Sequence, residues 1–179
     1  YVHNFDELED FFEVNPFDFE AIEKKAQKFQ FDGDRDQLVT FLQEFNGQFD
    51  VDKAAEKNIE RFKSNDTLAI VTGQQLGILG GPLYTVFKTI STIHQARMVE
   101  RKLDRPVVPV FWLADEDHDY DEVRKLTIIE NEEPKSFSLS PLDNHDPTVS
   151  EIAFPDEISE VKEDLKQSLY NTDFSDDLW

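Results

Sequence analysis

The chain has 179 residues, no cysteine, 18 basic against 39 acidic residues and a formal net charge of −21. That length suffices for a domain with its own apolar core, and the missing cysteines exclude disulfides, thiolate metal centres and a cysteine nucleophile. The charge sets the chain against DNA, RNA and anionic membranes, whose binders present basic patches; its plain reading is solubility or adaptation to salt. No apolar run approaches the roughly 18 residues of a membrane span. No signal peptide is visible, and a cytoplasmic location is the expectation.

In chain order, residues 1–64 read as helices. Asp18 is placed to cap a helix in which Phe19, Ile22, Ala26 and Phe29 recur at helical spacing. Leu38, Phe41, Leu42 and Phe45 make a second apolar stripe, and Val51, Ala55, Ile59 and Phe62 a third. The chain holds 16 phenylalanines, which read as helix packing rather than as an aromatic ligand site. The period then changes. Thr67–Thr72 is a short apolar run that fits a strand buried on both faces, as in a parallel sheet.

A glycine-rich loop follows from Gly73, and Pro82 stands where a helix would begin. Leu83, Val86, Phe87, Ile90 and Ile93 continue one apolar face, with Lys88, Gln95, Arg97 and Arg101 on the exposed one. Asp104 ends this helix, and Val107–Leu113 reads as a second buried strand, against which Pro109 is a mild objection. Strand, loop, helix and strand make a βαβ unit. Lys125–Ile129 and Lys135–Leu139 read as strands around an Asn131–Pro134 turn. Pro141–Pro155 is irregular, and a last helix from about Ile158 to Tyr170 carries Val161, Leu165 and Leu169 on one face. Tyr170 and Trp179 read as core. His94 reads as a surface or packed histidine, and His3 and His145 as loop residues without a role.

Two constellations could carry chemistry. In Thr72-Gly73-Gln74-Gln75-Leu76-Gly77-Ile78-Leu79-Gly80-Gly81-Pro82-Leu83-Tyr84, four of the six glycines fall close together. Glycine lets backbone approach a ligand and reach positive φ. The following helix start offers unpaired N–H groups to a phosphate or carboxylate. Gln74 and Gln75 could read polar groups of a nucleotide, and Lys88 could face an anion or solvent. No Gly-Lys-Ser/Thr closes the loop and the G-x-G-x-x-G spacing is absent, so a tight connection without a ligand stays open.

The second constellation is Trp112-Leu113-Ala114-Asp115-Glu116-Asp117-His118-Asp119-Tyr120-Asp121. In a parallel sheet it lies on the same rim as the glycine loop. So many carboxylates around an imidazole are costly without a cation, a proton or a substrate ammonium. Hard oxygen ligands suit Mg²⁺, and His118 suits a general base. A solvated acidic loop is the plain alternative.

Together the two resemble one family. The order is Thr72-Gly73-Gln74-Gln75-x-Gly77, then Gly81-Pro82-Leu83-Tyr84-Thr85 with Lys88, then Pro106-Val107-Val108-Pro109-Val110-Phe111-Trp112, then Glu116-Asp117-His118-Asp119, with a helical lead-in ending Asn58-Ile59-Glu60-Arg61. This is similar to the bacillithiol biosynthesis cysteine-adding enzymes, the BshC cysteine-ligase family, closely so over about Asn58 to Glu122. The resemblance implies an α/β fold: a helical N-terminal segment (1–64) leading into a partial Rossmann-like βαβ core (65–140), then an irregular segment and helix (141–179). Such a core is related to class I aminoacyl-tRNA synthetases and the mycothiol cysteine ligase. The implied reaction joins cysteine to the amino group of glucosaminyl malate through ATP-dependent activation with Mg²⁺.

On that reading Thr72, Gly73, Gln74, Gln75, Gly77, Gly81, Pro82, Tyr84 and Lys88 would cradle ATP phosphates or an adenylate. Trp112 and Asp115 would contact substrate, and Glu116, Asp117, His118 and Asp119 would hold a substrate ammonium or Mg²⁺, or position a base. The synthetase-type His-x-Gly-His sequence is absent, with Gly80-Gly81-Pro82-Leu83-Tyr84 in its place. The family's proteins are longer, so the chain is expected to be an N-terminal piece, and a homodimer is an expectation for the full-length protein. The competing functions are a non-catalytic nucleotide-binding module and a metal-dependent hydrolase built on Asp115–Asp121.

Overall fold

A computed structural model describes residues 4–142 and 147–179; His3 and His145 lie outside them. The elements follow as α1 (Phe19–Lys28), α2 (Arg35–Asn46), α3 (Lys53–Arg61), β1 (Leu68–Gln75), α4 (Leu83–Leu103), β2 (Val107–Ala114), α5 (Tyr120–Val123), β3 (Lys125–Glu130), β4 (Glu133–Ser138), α6 (Glu157–Ser168) and α7 (Ser175–Leu178). Leu68 N–H donates to the Pro106 carbonyl at the start of the β1–β2 pair, and Gly73 lies against Trp112 near its end. The two strands therefore run parallel, joined by α4. The chain divides into two compact units, one holding the residues up to Ile70 with Thr92–Val110, the other Val71–Ser91 with Phe111–Trp179.

The first unit begins with three helices, each started by an aspartate. Asp18, Asp34 and Asp52 accept hydrogen bonds from the N–H groups of Ala21, Gln37 and Ala55 at 3.0, 3.0 and 2.8 Å. Each satisfies a donor that the helix cannot, for about 1 kcal/mol. Val39, Ile59, Phe62 and Val108 form the core, with Leu38, Leu42 and Val110 against it. Glu100 accepts from Val107 N–H at 2.9 Å and pairs with Arg61, which fixes the end of α4 to the start of β2. The N–H of Val107 holds the Glu100 carboxyl below its ordinary range, and Arg61 adds to this. Phe62 packs as expected, but at the surface Phe41 and Phe45 stack and Phe49, beyond the end of α2, meets Phe45 edge-on. The spacing of Phe41 and Phe45 places them on one helical face that is turned to solvent, so periodicity alone did not make them core.

In the second unit a hairpin and α6 enclose the core. Ile78, Phe137, Leu139, Val161 and Leu165 are buried together, with Leu126, Ile128, Ile158 and Trp179 packed on them. β3 and β4 pair antiparallel with Glu130 opposite Glu133. Their two-residue turn has Asn131 at φ 51° and Glu132 at φ 69°, the twist that a tight hairpin needs. Pro134 is thus inside β4 as its second residue, where sequence reading put it in the turn.

Several buried-face expectations fail here. Val71 of β1 is 59% exposed, and Phe111, Trp112 and Leu113 of β2 are exposed, as are Leu83, Val86, Phe87 and Ile90 of α4. Among the described residues these faces are left without an apolar layer packed on them; both strands of the β1–β2 sheet are edges, which accommodates Pro109. α6 ends at Ser168, Leu169 is partly exposed as its cap, and Tyr170 is exposed rather than core.

Candidate nucleotide and substrate site

β1 runs through Gln75, so Thr72, Gly73, Gln74 and Gln75 are strand residues and the loop proper begins at Leu76. Gly73 is required by its neighbour: a Cβ there would stand 2.8 Å from the Trp112 carbonyl oxygen. Gly77 is closed upon Gly81 in the same way, a Cβ at 77 meeting the Gly81 Cα at 2.8 Å. Between them Ile78, 1% exposed, anchors the loop in the core. Leu79, Gly80 and Gly81 then take φ of 53°, 90° and 70°, a left-handed stretch that only glycine enters freely. Gly81 N–H closes the turn on the Ile78 carbonyl at 3.0 Å, and α4 starts one residue after Pro82.

Lys88 is not on the exposed face. It is half-buried, and its Nζ donates to the Gly73 carbonyl at 2.9 Å and to Gln74 Oε1 at 2.6 Å, with the Tyr84 ring centre 4.8 Å away. It ties the second turn of α4 to the end of β1. One turn before it, the Thr85 hydroxyl is buried without a hydrogen-bond partner, 3.9 Å from where a Gly81 Cβ would be. Thr85 was missed as a site residue. Its signal was the spacing, four residues after Gly81 and three before Lys88, which puts it on the face of the helix that carries the lysine.

The acidic loop is organised by its own hydrogen bonds. Asp117 Oδ1 accepts from the N–H groups of His118 and Asp119 at 2.7 and 3.1 Å. Asp119 caps α5 through Glu122 N–H at 3.3 Å. Asp121 pairs with Arg124 at 2.7 Å, and this bond, with the guanidinium charge, holds its carboxyl below the usual range. The carbonyls of Asp115 and Asp117 accept from Ser150 and Val149, seating the loop on residues 148–151. Burial pushes the Tyr120 phenol up, and that phenol donates to the Ser140 carbonyl at 3.3 Å. Crowding of carboxylates is therefore relieved by backbone donors and by Arg124. The side chains of Asp115, Glu116 and His118 make no hydrogen bond or ion pair among the described residues, and Glu116 and His118 are exposed. Trp112, 60% exposed, brings the start of the second constellation against Gly73 of the first.

Over residues 1–179 the chain matches the family described as "Bacillithiol biosynthesis BshC, N-terminal Rossmann-like domain". The chain belongs to this family. Its relatives include proteins named "Putative cysteine ligase BshC" from Salinibacter ruber, 36% identical over 79% of this chain and 26% of that protein. The one from Desulforamulus reducens is 33% identical over 94% of the chain and 32% of the relative, and that of Geobacillus thermodenitrificans 43% identical over 57% and 19%. The chain thus spans about a quarter of the length of the relatives it matches. The family's Rossmann-like fold accounts for the parallel β1–α4–β2 arrangement and for the placement of the glycine loop and the acidic loop after successive strands.

Within this family's domain the glycine loop fits an oxyanion. A Cβ at Gly80 would meet nothing within 4 Å, Thr85 offers an unpaired hydroxyl, and Lys88 brings positive charge to a very acidic chain. Among the described residues no three His, Asp or Glu side chains converge as a metal site. No helix among the described residues is long and apolar enough to cross a membrane.

Proposed function

We propose that this chain supplies the N-terminal Rossmann-like part of a cytoplasmic cysteine ligase of bacillithiol biosynthesis, which joins cysteine to glucosaminyl malate. The observation that carries this reading is the family match along the whole chain; the geometry of the glycine loop supports it. ATP, when bound with Mg²⁺, would activate the cysteine carboxyl. Thr72, Gly73, Gln74, Gln75, Gly77, Gly81, Pro82, Tyr84 and Lys88 would form its phosphate cradle. In the acidic loop, Asp117 and Asp119 are engaged with backbone. The unengaged Glu116 and His118 are thus the better candidates to take a proton from the attacking amine, and Asp115 and Trp112 would contact substrate.

The test is complementation. The full-length protein, expressed in a strain that lacks its own bacillithiol cysteine ligase, restores bacillithiol, and purified protein forms the cysteinyl amide only when ATP is supplied. Well-folded, well-expressed protein that binds nucleotide yet yields no amide would refute the ligase and leave the nucleotide-binding module.

A further inference from the structure

The ammonium of Lys88 is already engaged. It has three N–H donors and no acceptor, and two of its partners are the Gly73 carbonyl and Gln74 Oε1 at 2.9 and 2.6 Å. This fixes the Gln74 amide by chemistry: the atom facing an ammonium must be the oxygen, so the NH₂ group is the end turned away. Gln74 Nε2 makes no hydrogen bond among the described residues. The lysine therefore engages two acceptors at the end of β1, and the Gln74 NH₂ and the Thr85 hydroxyl, which has no partner among the described residues, are free to donate.

We infer that Gln74 is the residue that contacts the ligand, through its NH₂ group, and that Lys88 is a positioning residue acting through Gln74. A rim that offers the Gln74 NH₂ and the Thr85 hydroxyl as donors beside the lysine charge suits an oxyanion, either phosphate or carboxylate. Lys88 sets the orientation of the amide and, by its charge, polarises the NH₂. This inference rests on reading the glycine loop as an oxyanion site, and it departs from a direct lysine–phosphate contact.

The two arrangements separate by calorimetric titration of the full-length protein with ATP, inorganic pyrophosphate and cysteine, with melting curves to confirm folding. Gln74→Met removes the amide and frees the lysine, and binding weakens roughly tenfold or more. Lys88→Gln keeps an N–H donor for Gln74 without the charge and stays within about threefold, whereas Lys88→Met loses roughly tenfold. Unchanged or tighter binding by Q74M overturns the inference, as does a K88Q protein as weak as K88M; if K88Q does not fold, Q74M alone decides. Response to ATP and pyrophosphate assigns the oxyanion to phosphate, and response to cysteine alone assigns it to a carboxylate. A wild-type protein that binds none of the three refutes the oxyanion site itself.

Discussion

Gly73→Ala tests whether the site is built on the close approach of two strands. The added methyl would stand 2.8 Å from the Trp112 carbonyl oxygen and 3.0 Å from its Cβ. Ordinary contact begins near 3.4 Å, so β1 and β2 would have to part by about 0.6 Å, a large step against their normal spacing of about 4.8 Å. The obstacle is backbone, which cannot swing aside as a side chain could. Gly73 is not among the residues with positive φ, so conformational strain adds nothing and the whole effect is steric. Overpacking of this kind costs about 1–3 kcal/mol, while alanine recovers about 0.4–1 kcal/mol by restricting the unfolded chain. Taken at the middle of each range the net is a loss of about 1.3 kcal/mol, read as a fall in Tm of about 3–5 °C by circular dichroism for a chain of this size. A G73A protein that melts at or above the wild-type temperature would refute the strand contact and the account of this glycine.

Two further outcomes follow from the geometry. Glu100→Gln lowers stability at pH 7, because the bond to Val107 N–H and the pair with Arg61 both favour the carboxylate. With the folded pKa below the unfolded value, that stabilisation is present above the unfolded pKa and is lost as pH falls through the folded one. In urea unfolding the gap between E100Q and wild type should therefore be widest at neutral pH and narrow below the ordinary glutamate range; a gap independent of pH contradicts it. Glu132→Gly removes a bulky residue from φ 69° in the hairpin turn and creates an Asn-Gly pair. Stability should rise by about 0.5–1 kcal/mol, and a lowered Tm would mean that the turn has another conformation.

What the sequence made legible was whatever depends on near neighbours along the chain. Asp18 as a cap, the end of α4 at Asp104 and the change from helical to strand period before β1 are all decided within a few residues, and each stands where the spacing put it. The grouping of Thr72–Tyr84 and Trp112–Asp121 at one end of a parallel pair was equally readable, because strand, loop, helix and strand leave little choice of topology. What could not be read was which side of an element meets another. Phe41 and Phe62 look alike in sequence, yet one lies on a solvent-facing stripe and the other in the core. Lys88 is the sharpest case. Its helical position assigns it to the exposed polar face, yet the side chain is half-buried. The side chain is long enough to reach back to Gly73 and Gln74, and a carbonyl at the end of a strand with one neighbour is an open acceptor. A lysine read as surface charge thereby becomes the internal brace of the glycine loop. The same step converts Gln74 from one of two adjacent glutamines into the residue whose amide has a fixed direction.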